Sequence, residues 1–252
     1  MIETTILAID DSKQIVRVLR AHPAIAVLPE AAQMRIASTA RLTKHARRGA
    51  LSIPTSCFAI VGFGLVKSAF MVEPRHVEFI VNLAGPGESI EMSAALRLVK
   101  ARSAAEPEEL RRPAQHIVIT ESATVVYTKA VAVLAELSED PRAALAWALE
   151  SSRAQERMTD RLLWSLHSNA ETRVALVLMD LQERYGDDRE DGSAFLSLRF
   201  TRAELAALAG VSTETAIRVL SAWAKAGLVT DAESGGIEIR NRDELRRLAG
   251  AP

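Results

Sequence analysis

The stretch Thr201–Thr230, TRAELAALAGVSTETAIRVLSAWAKAGLVT, constrains this chain more than any other. It reads as two short helices around a tight turn. Thr201 can cap the first helix, and Glu204 three residues on completes a capping box. Leu205, Leu208 and Ala209 give that helix an apolar side. Gly210 suits the left-handed conformation that ends helices. Val211 packs the turn, and Ser212 can cap a second helix running from about Thr213 to Ala226. At about 100° per residue, Ala216, Val219, Leu220 and Trp223 gather on one side of it. Glu214, Ile217, Arg218, Ser221 and Lys225 gather on the other. Such a segment must pack its apolar side and leave the polar one outside, the layout that puts a recognition helix in the DNA major groove. The plainer alternative is a helical hairpin that only packs, with Glu214 and Arg218 as a solvated i,i+4 pair.

The residues after the second helix favour DNA binding over simple packing. Leu228–Thr230 is a short strand signal, Ala232–Gly236 a turn, and Ile237–Arg240 alternates as a second strand. A β-hairpin directly after the second helix makes a winged helix-turn-helix. Charge adds little. The net charge of −1 offers no bulk attraction for nucleic acid. Arg199, Arg202, Arg218 and Lys225 stand against Glu204 and Glu214 between positions 193 and 230. Phosphate contacts would then rest on a few placed groups and on helix N-termini.

With 252 residues, 48% of them apolar, the chain can hold one large or two small domains with a real core. No apolar run approaches the roughly 18–20 residues that cross a bilayer. The opening MIETTILAIDDSK carries an acidic pair where a secretion signal needs basic residues. A cytoplasmic protein with no membrane partner is expected. Cys57 is the single cysteine, which excludes a disulfide framework and any cluster held by several thiolates.

Upstream, residues 1–30 look helical, with Ile15, Val18 and Leu19 on one face and breaks at Pro23 and Pro29. Strand-like runs come next at Cys57–Val61, Leu65–Val72, Val77–Leu83, Ile117–Ile119 and Thr124–Tyr127, separated by glycine and proline turns. Their number and spacing suggest a small sandwich or barrel. A charged helical piece within 89–113 interrupts them. From Ser138, where Ser138 or Asp140 caps and Pro141 suits the first turn, a helix extends to about His167. At 1.5 Å per residue it is roughly 45 Å long. One stripe of it holds Leu145, Ala148, Ser152, Gln155, Thr159, Leu162 and Leu166, which a two-fold dimer seam would bury. A surface helix lying on its own domain is the alternative. Glu171–Tyr185 forms a further helix before the winged segment.

A β-rich front half, a long central helix and a C-terminal winged helix-turn-helix together resemble the CRP/FNR family of bacterial transcription regulators. LAALAGVSTETAIRVLSAWAKAGLV with GGIEIRNRDELRRLAG resembles that family's DNA-binding domain. PEAAQMRIASTARLTKHARRGAL, FAIVGFGLVKSAF and VNLAGPGESI resemble, more loosely, the parts of its β-roll. The resemblance implies an α+β fold in three parts. A jelly-roll-like β-roll sensor domain would occupy 1–137, a dimerisation helix 138–168 and a winged helix-turn-helix 169–252. It implies a homodimer on an inverted-repeat promoter site, with RNA polymerase as a further partner.

Carried onto this sequence, the base-reading residues would be Glu214 and Arg218, with Thr213 and Ile217 modulating and Ser212, Ser221 and Arg202 alongside. The chemistry agrees. Arginine can give two hydrogen bonds to guanine O6 and N7, and glutamate can accept from a cytosine amino group. The family branches sharing this Glu and Arg read a G·A step. One branch has arginine where Thr213 stands, and another has serine where Ile217 stands.

The effector is less defined. Cyclic-nucleotide members of the family hold phosphate with a Gly-Glu pair and, about ten residues on, an Arg-Ser or Arg-Thr. Gly87-Glu88 is present here, but Arg102-Ser103 sits too far from the next strand and Arg112-Pro113 lacks the hydroxyl. Gly87, Glu88, Arg112 and Thr159 are the candidate pocket residues, with a turn glycine beside a solvated carboxylate as the plainer reading. No cyclic nucleotide and no iron–sulfur cluster are expected. A haem-based gas sensor would take His76 or Cys57 as ligand, although the histidines show no metal-ligand spacing. Ligand-independent control by abundance is a further alternative. No G-x-S-x-G, H-E-x-x-H or P-loop supports an enzyme.

Overall fold

The structure is a computed structural model that describes residues 9–54, 56–72, 77–90, 114–198, 200–232 and 236–250. Three helices open it: α1 (Ile9–Ala21), α2 (Pro23–Ala26) and α3 (Glu30–Ala37). Ile15, Val18 and Leu19 recur at helical spacing and are buried on one face of α1, as their periodicity requires. Pro23 stops α1 and fits the first turn of α2. The Gln33 amide on α3 donates to the Leu28 carbonyl at 2.9 Å and accepts from Arg20 Nε at 2.6 Å, which locks the helices together.

Among the described residues eight strands come next: β1 (Arg41–Ala46), β2 (Ala50–Leu51), β3 (Cys57–Phe63), β4 (Val66–Val72), β5 (Val77–Ala84), β6 (Ser89–Ile90), β7 (Gln115–Val118) and β8 (Ser122–Lys129). They pair as two four-stranded sheets, β1-β8-β3-β6 and β2-β7-β4-β5. Among the described residues the roll is therefore a pair of antiparallel sheets and not a closed barrel. The five strand runs legible in the sequence are β3, β4, β5, β7 and β8. β1 and β2, polar and short, carry no strand signal of their own.

β8 is buried on both faces between its two end residues. Phe58, Ile60 and Val126 point to a helical core with Ile15, Leu19 and Trp147. Ala59, Val61, Val125 and Tyr127 point into the roll with Val66, Ile90 and Val118. The register shifts between Val61 and Phe63, where Gly62 bulges. A Cβ at Gly62 would come within 2.3 Å of Val18 Cγ2, so the glycine lets α1 lie directly on β3.

The long helix expected from Ser138 to about His167 is α5 (Pro141–His167), and a further helix, α4 (Ala130–Glu139), which the sequence did not signal, precedes it. Asp140 interrupts them in an extended conformation and its carboxylate accepts the Arg142 amide at 2.9 Å. Ala143 and Trp147 of α5 are buried in the helical core, whereas Leu145, Leu149, Met158 and Leu163 are exposed. After α6 (Ala170–Tyr185) come β9 (Asp187–Asp188), β10 (Ala194–Leu196), α7 (Arg202–Ala209), α8 (Thr213–Lys225), β11 (Val229–Asp231), β12 (Ile237–Ile239) and α9 (Arg242–Leu248). β9 to β12 form one sheet in the order β11-β12-β10-β9, so the expected wing hairpin has two more strands beside it.

Two compact units result. The first comprises Met1–Ser68 and Asn82–Gln155, the second Ala69–Val81 and Glu156–Pro252.

Candidate nucleic-acid interface

The second unit builds its exposed helix from local signals. The Thr201 hydroxyl accepts the Glu204 amide at 3.1 Å, and the Glu204 carboxylate accepts the Thr201 amide at 2.8 Å. This is the capping box that starts α7. Gly210, at φ +60°, ends it in the left-handed region. Ser212 then starts α8 by accepting the Thr215 amide at 3.2 Å. The two helices cross at 104°, inside the range of about 90–120° for this motif.

Packing decides which face of α8 stays outside. Ala216, Leu220 and Trp223 are buried, and α6 supplies Val174, Val177, Leu178 and Leu181 to the same core. Trp223 Nε1 donates to Glu171 Oε1 at 2.9 Å, which fixes the ring. Thr213, Glu214, Ile217, Arg218, Ser221 and Lys225 are all exposed. At 100° and 1.5 Å per residue, Thr213 to Ser221 form one face about 12 Å long, comparable to the width of a major groove.

Two features of that face bear on its chemistry. Hydrogen bonds from its own backbone amide and from the Ser212 hydroxyl hold the Glu214 carboxyl below the usual carboxylate range. It is therefore a ready ionised acceptor. Arg218 makes no ion pair among the described residues, so the i,i+4 pair with Glu214 does not form. Elsewhere in this unit Arg189, Arg240, Arg242, Arg246 and Arg247 each hold a carboxylate.

Arg202 is placed differently from the others. It sits at the first position of α7, and its guanidinium donates to Asp231 Oδ1 at 2.7 Å on the wing strand β11. Asp231 joins this surface without a signal in the sequence. Its charge is visible there, but no spacing rule links it to Arg202.

Of the effector candidates, Gly87 and Glu88 belong to the first unit and Thr159 to the second. Gly87 is a turn glycine at φ +83°, and a Cβ there would meet the Ala21 carbonyl at 2.7 Å. Glu88 Oε2 accepts the Gly85 amide at 2.7 Å, inside its own turn. Thr159 is exposed on the stretch of α5 that belongs to the second unit. Arg112, Arg102 and Ser103 lie outside the described residues, as does His76. Cys57 is half-buried with Ser56 Oγ 3.9 Å from its sulfur. His45 meets the Tyr127 hydroxyl at 3.1 Å, and His116 meets the Ser68 hydroxyl at 2.9 Å. Among the described residues no single helix is long and apolar enough to cross a membrane.

Comparison with known proteins agrees with this geometry. Residues 172–248 match the Crp-like helix-turn-helix domain. The nitrogen fixation regulation protein FixK of Azorhizobium caulinodans is 30% identical over 125 residues, 49% of this chain and 50% of that protein. The match thus spans about half the length of that curated relative. FixK2 from Bradyrhizobium japonicum superposes with a TM-score of 0.67 at 19% identity, covering 84% of this chain and 98% of that one. A CRP-family transcriptional regulator from Thermus thermophilus gives 0.64 at 17%, covering 83% and 97%. A CooA variant from Carboxydothermus hydrogenoformans gives 0.63 at 16%, covering 84% and 88%.

Proposed function

We propose, from the premise that this chain is of the CRP/FNR type in fold and carries a Crp-like helix-turn-helix domain, that it is a DNA-binding transcription regulator and not an enzyme. The observation that carries this reading is Arg218, an exposed arginine with no ion pair among the described residues, on a capped helix beside an ionised Glu214. Both side chains are exposed on the outer face of α8, where base edges can reach them. Arg218 suits guanine O6 and N7, and Glu214 suits a cytosine amino group. Thr213 and Ile217 modulate the outer bases, Ile217 by apolar contact such as a thymine methyl. Ser212 and Ser221 serve the backbone and flanking positions.

The chain acts as a homodimer on an inverted repeat with a G·A step in each half-site, and RNA polymerase is its partner at the promoter. Exposed Leu145, Leu149 and Leu163 on α5 support the dimer, because a two-fold seam would remove them from water. In this reading 1–137 is the sensor-like roll, 138–168 the dimerisation helix and 169–252 the DNA-binding domain. Control is by a small ligand other than cyclic AMP. A second mode, control by abundance with no ligand in the roll, is favoured by Glu88, whose carboxylate already serves its own turn.

Selection of binding sites from random duplexes tests the proposal. An inverted repeat should emerge, and Arg218→Ala should weaken its binding by about 1–3 kcal/mol while relaxing preference at one position. Recovery of no palindrome, or unchanged binding by the variant, would overturn it.

A further inference from the structure

The second unit contains a small cleft that the DNA-binding reading leaves unused. Arg161, Trp164, Arg173, Ile80 and the Leu208–Gly210 end of α7 line it, and it has about 20 Å³ of free interior. That is room for about one water molecule, so an oxyanion would seat one oxygen inside and the rest at the open mouth. Its lining includes two guanidinium groups and no carboxylate.

Neither cation is fully matched. The Arg161 side chain is 10% exposed, and Asp180 lies 3.3 Å away. Asp180 is itself shared with Arg184 Nη1 at 3.5 Å. Burial lowers the Arg161 pKa more than Asp180 raises it, a sign of charge short of compensation. Arg173 makes no side-chain hydrogen bond or ion pair among the described residues, and its Nε is buried. Its Nη1 lies 3.8 Å from where a Cβ on Gly210 would stand, so it borders the turn before α8.

A planar guanidinium presents parallel N–H donors that match two oxygens of one anion, and two such forks lining one cleft offer donors that an anion can accept. We propose that this cleft binds a single small oxyanion between Arg161 and Arg173. The ion would link the C-terminal part of α5, the start of α6 and the turn that orients α8. This site stands independently of the DNA-binding reading. A bland role also exists for Arg173, since a cation near the C-terminus of α7 meets the negative end of that helix.

The test is calorimetric titration of the purified full chain with inorganic phosphate, ionic strength held constant with sodium chloride. One saturable site per chain is expected, with Arg173→Gln weakening it tenfold or more and Arg173→Lys keeping part of the affinity. Arg161→Lys serves as the second variant should Arg173→Gln not fold. General salting effects act equally on wild type and variants, so their difference isolates the cleft. A non-saturable response common to all, meaning an adventitious ion only, would overturn the proposal. So would an unchanged isotherm in a less stable Arg173→Gln, which leaves only the helix-terminus role. If bound duplex abolished the phosphate isotherm, the occupant would be a DNA phosphate and the free-ion site would fall.

Discussion

His22 and Trp147 stand ring to ring in the helical core of the first unit, with centroids 5.7 Å apart. Neither imidazole nitrogen of His22 nor the indole Nε1 of Trp147 has a hydrogen-bond partner among the described residues. Phe58 completes the cluster, 6.3 Å from His22 and 5.4 Å from Trp147. His22 joins α1 to α2 and Trp147 sits on α5, so this aromatic contact ties the opening helices to the long one.

That burial sets a pH dependence. Desolvation lowers the His22 pKa from 6.5 to about 4. The unfolded chain therefore binds the proton more readily, and stability must fall as pH drops from 6.5 towards 4. His22→Leu should remove this component, worth up to about 3 kcal/mol across the window. Denaturant unfolding of both proteins at pH 7.5 and pH 4.5 would show the variant gaining on the wild type. A difference that does not change with pH would refute the assignment.

The contact of α1 with β3 gives a second expectation. Gly62→Ala places a Cβ 2.3 Å from a methyl of Val18, a stiff side chain that cannot swing clear. A loss of about 1–3 kcal/mol is expected, the usual cost of overpacking. Val18→Ala in the same chain should recover part of it. Thermal unfolding of the singles and the double would detect the coupling, and strict additivity would count against it.

Arg202 and Asp231 form a surface pair that withholds one cation from the proposed DNA-binding surface. Asp231→Asn should free Arg202 for a phosphate. Duplex binding should then tighten a few-fold and its salt dependence steepen by up to about one in log–log slope. Anisotropy titrations over a range of salt would measure both. An unchanged slope would mean that Arg202 serves only to fasten α7 to the wing.

For the proposed dimer, Leu149 offers a probe because it is 52% exposed on α5. Leu149→Glu should leave the circular dichroism of the chain intact and weaken self-association. Two symmetric leucines lost from a seam amount to about 3 kcal/mol, or roughly a hundredfold. Sedimentation velocity would report the shift to monomer. A dimer that survives unchanged would move the seam elsewhere.

Much of the second unit is legible from residue order alone. Thr201 with Glu204, Gly210 and Ser212 act on neighbours three to five positions away, so helix starts, the turn and the outer face of α8 follow from spacing. The roll is legible only in its apolar strands. β1 reads RLTKHA, and its strand character comes from pairing with β8, not from its own pattern. The break at Asp140 is half visible: its capping chemistry shows in the sequence, but not that Ala130–Glu139 is a helix before it.

By itself, the sequence determined what short-range geometry can determine: the capped helix pair, the polar face with Glu214 and Arg218, and the apolar strands. Tertiary structure decided what long-range contact alone creates. It paired Arg202 with Asp231, left Arg218 without an ion pair among the described residues, buried His22 against Trp147 and turned Arg161 and Arg173 onto one cleft. The physical reason is that capping and periodicity act within a turn or two of chain. Charge pairing and desolvation depend instead on which distant residues the packed core brings within a few ångströms.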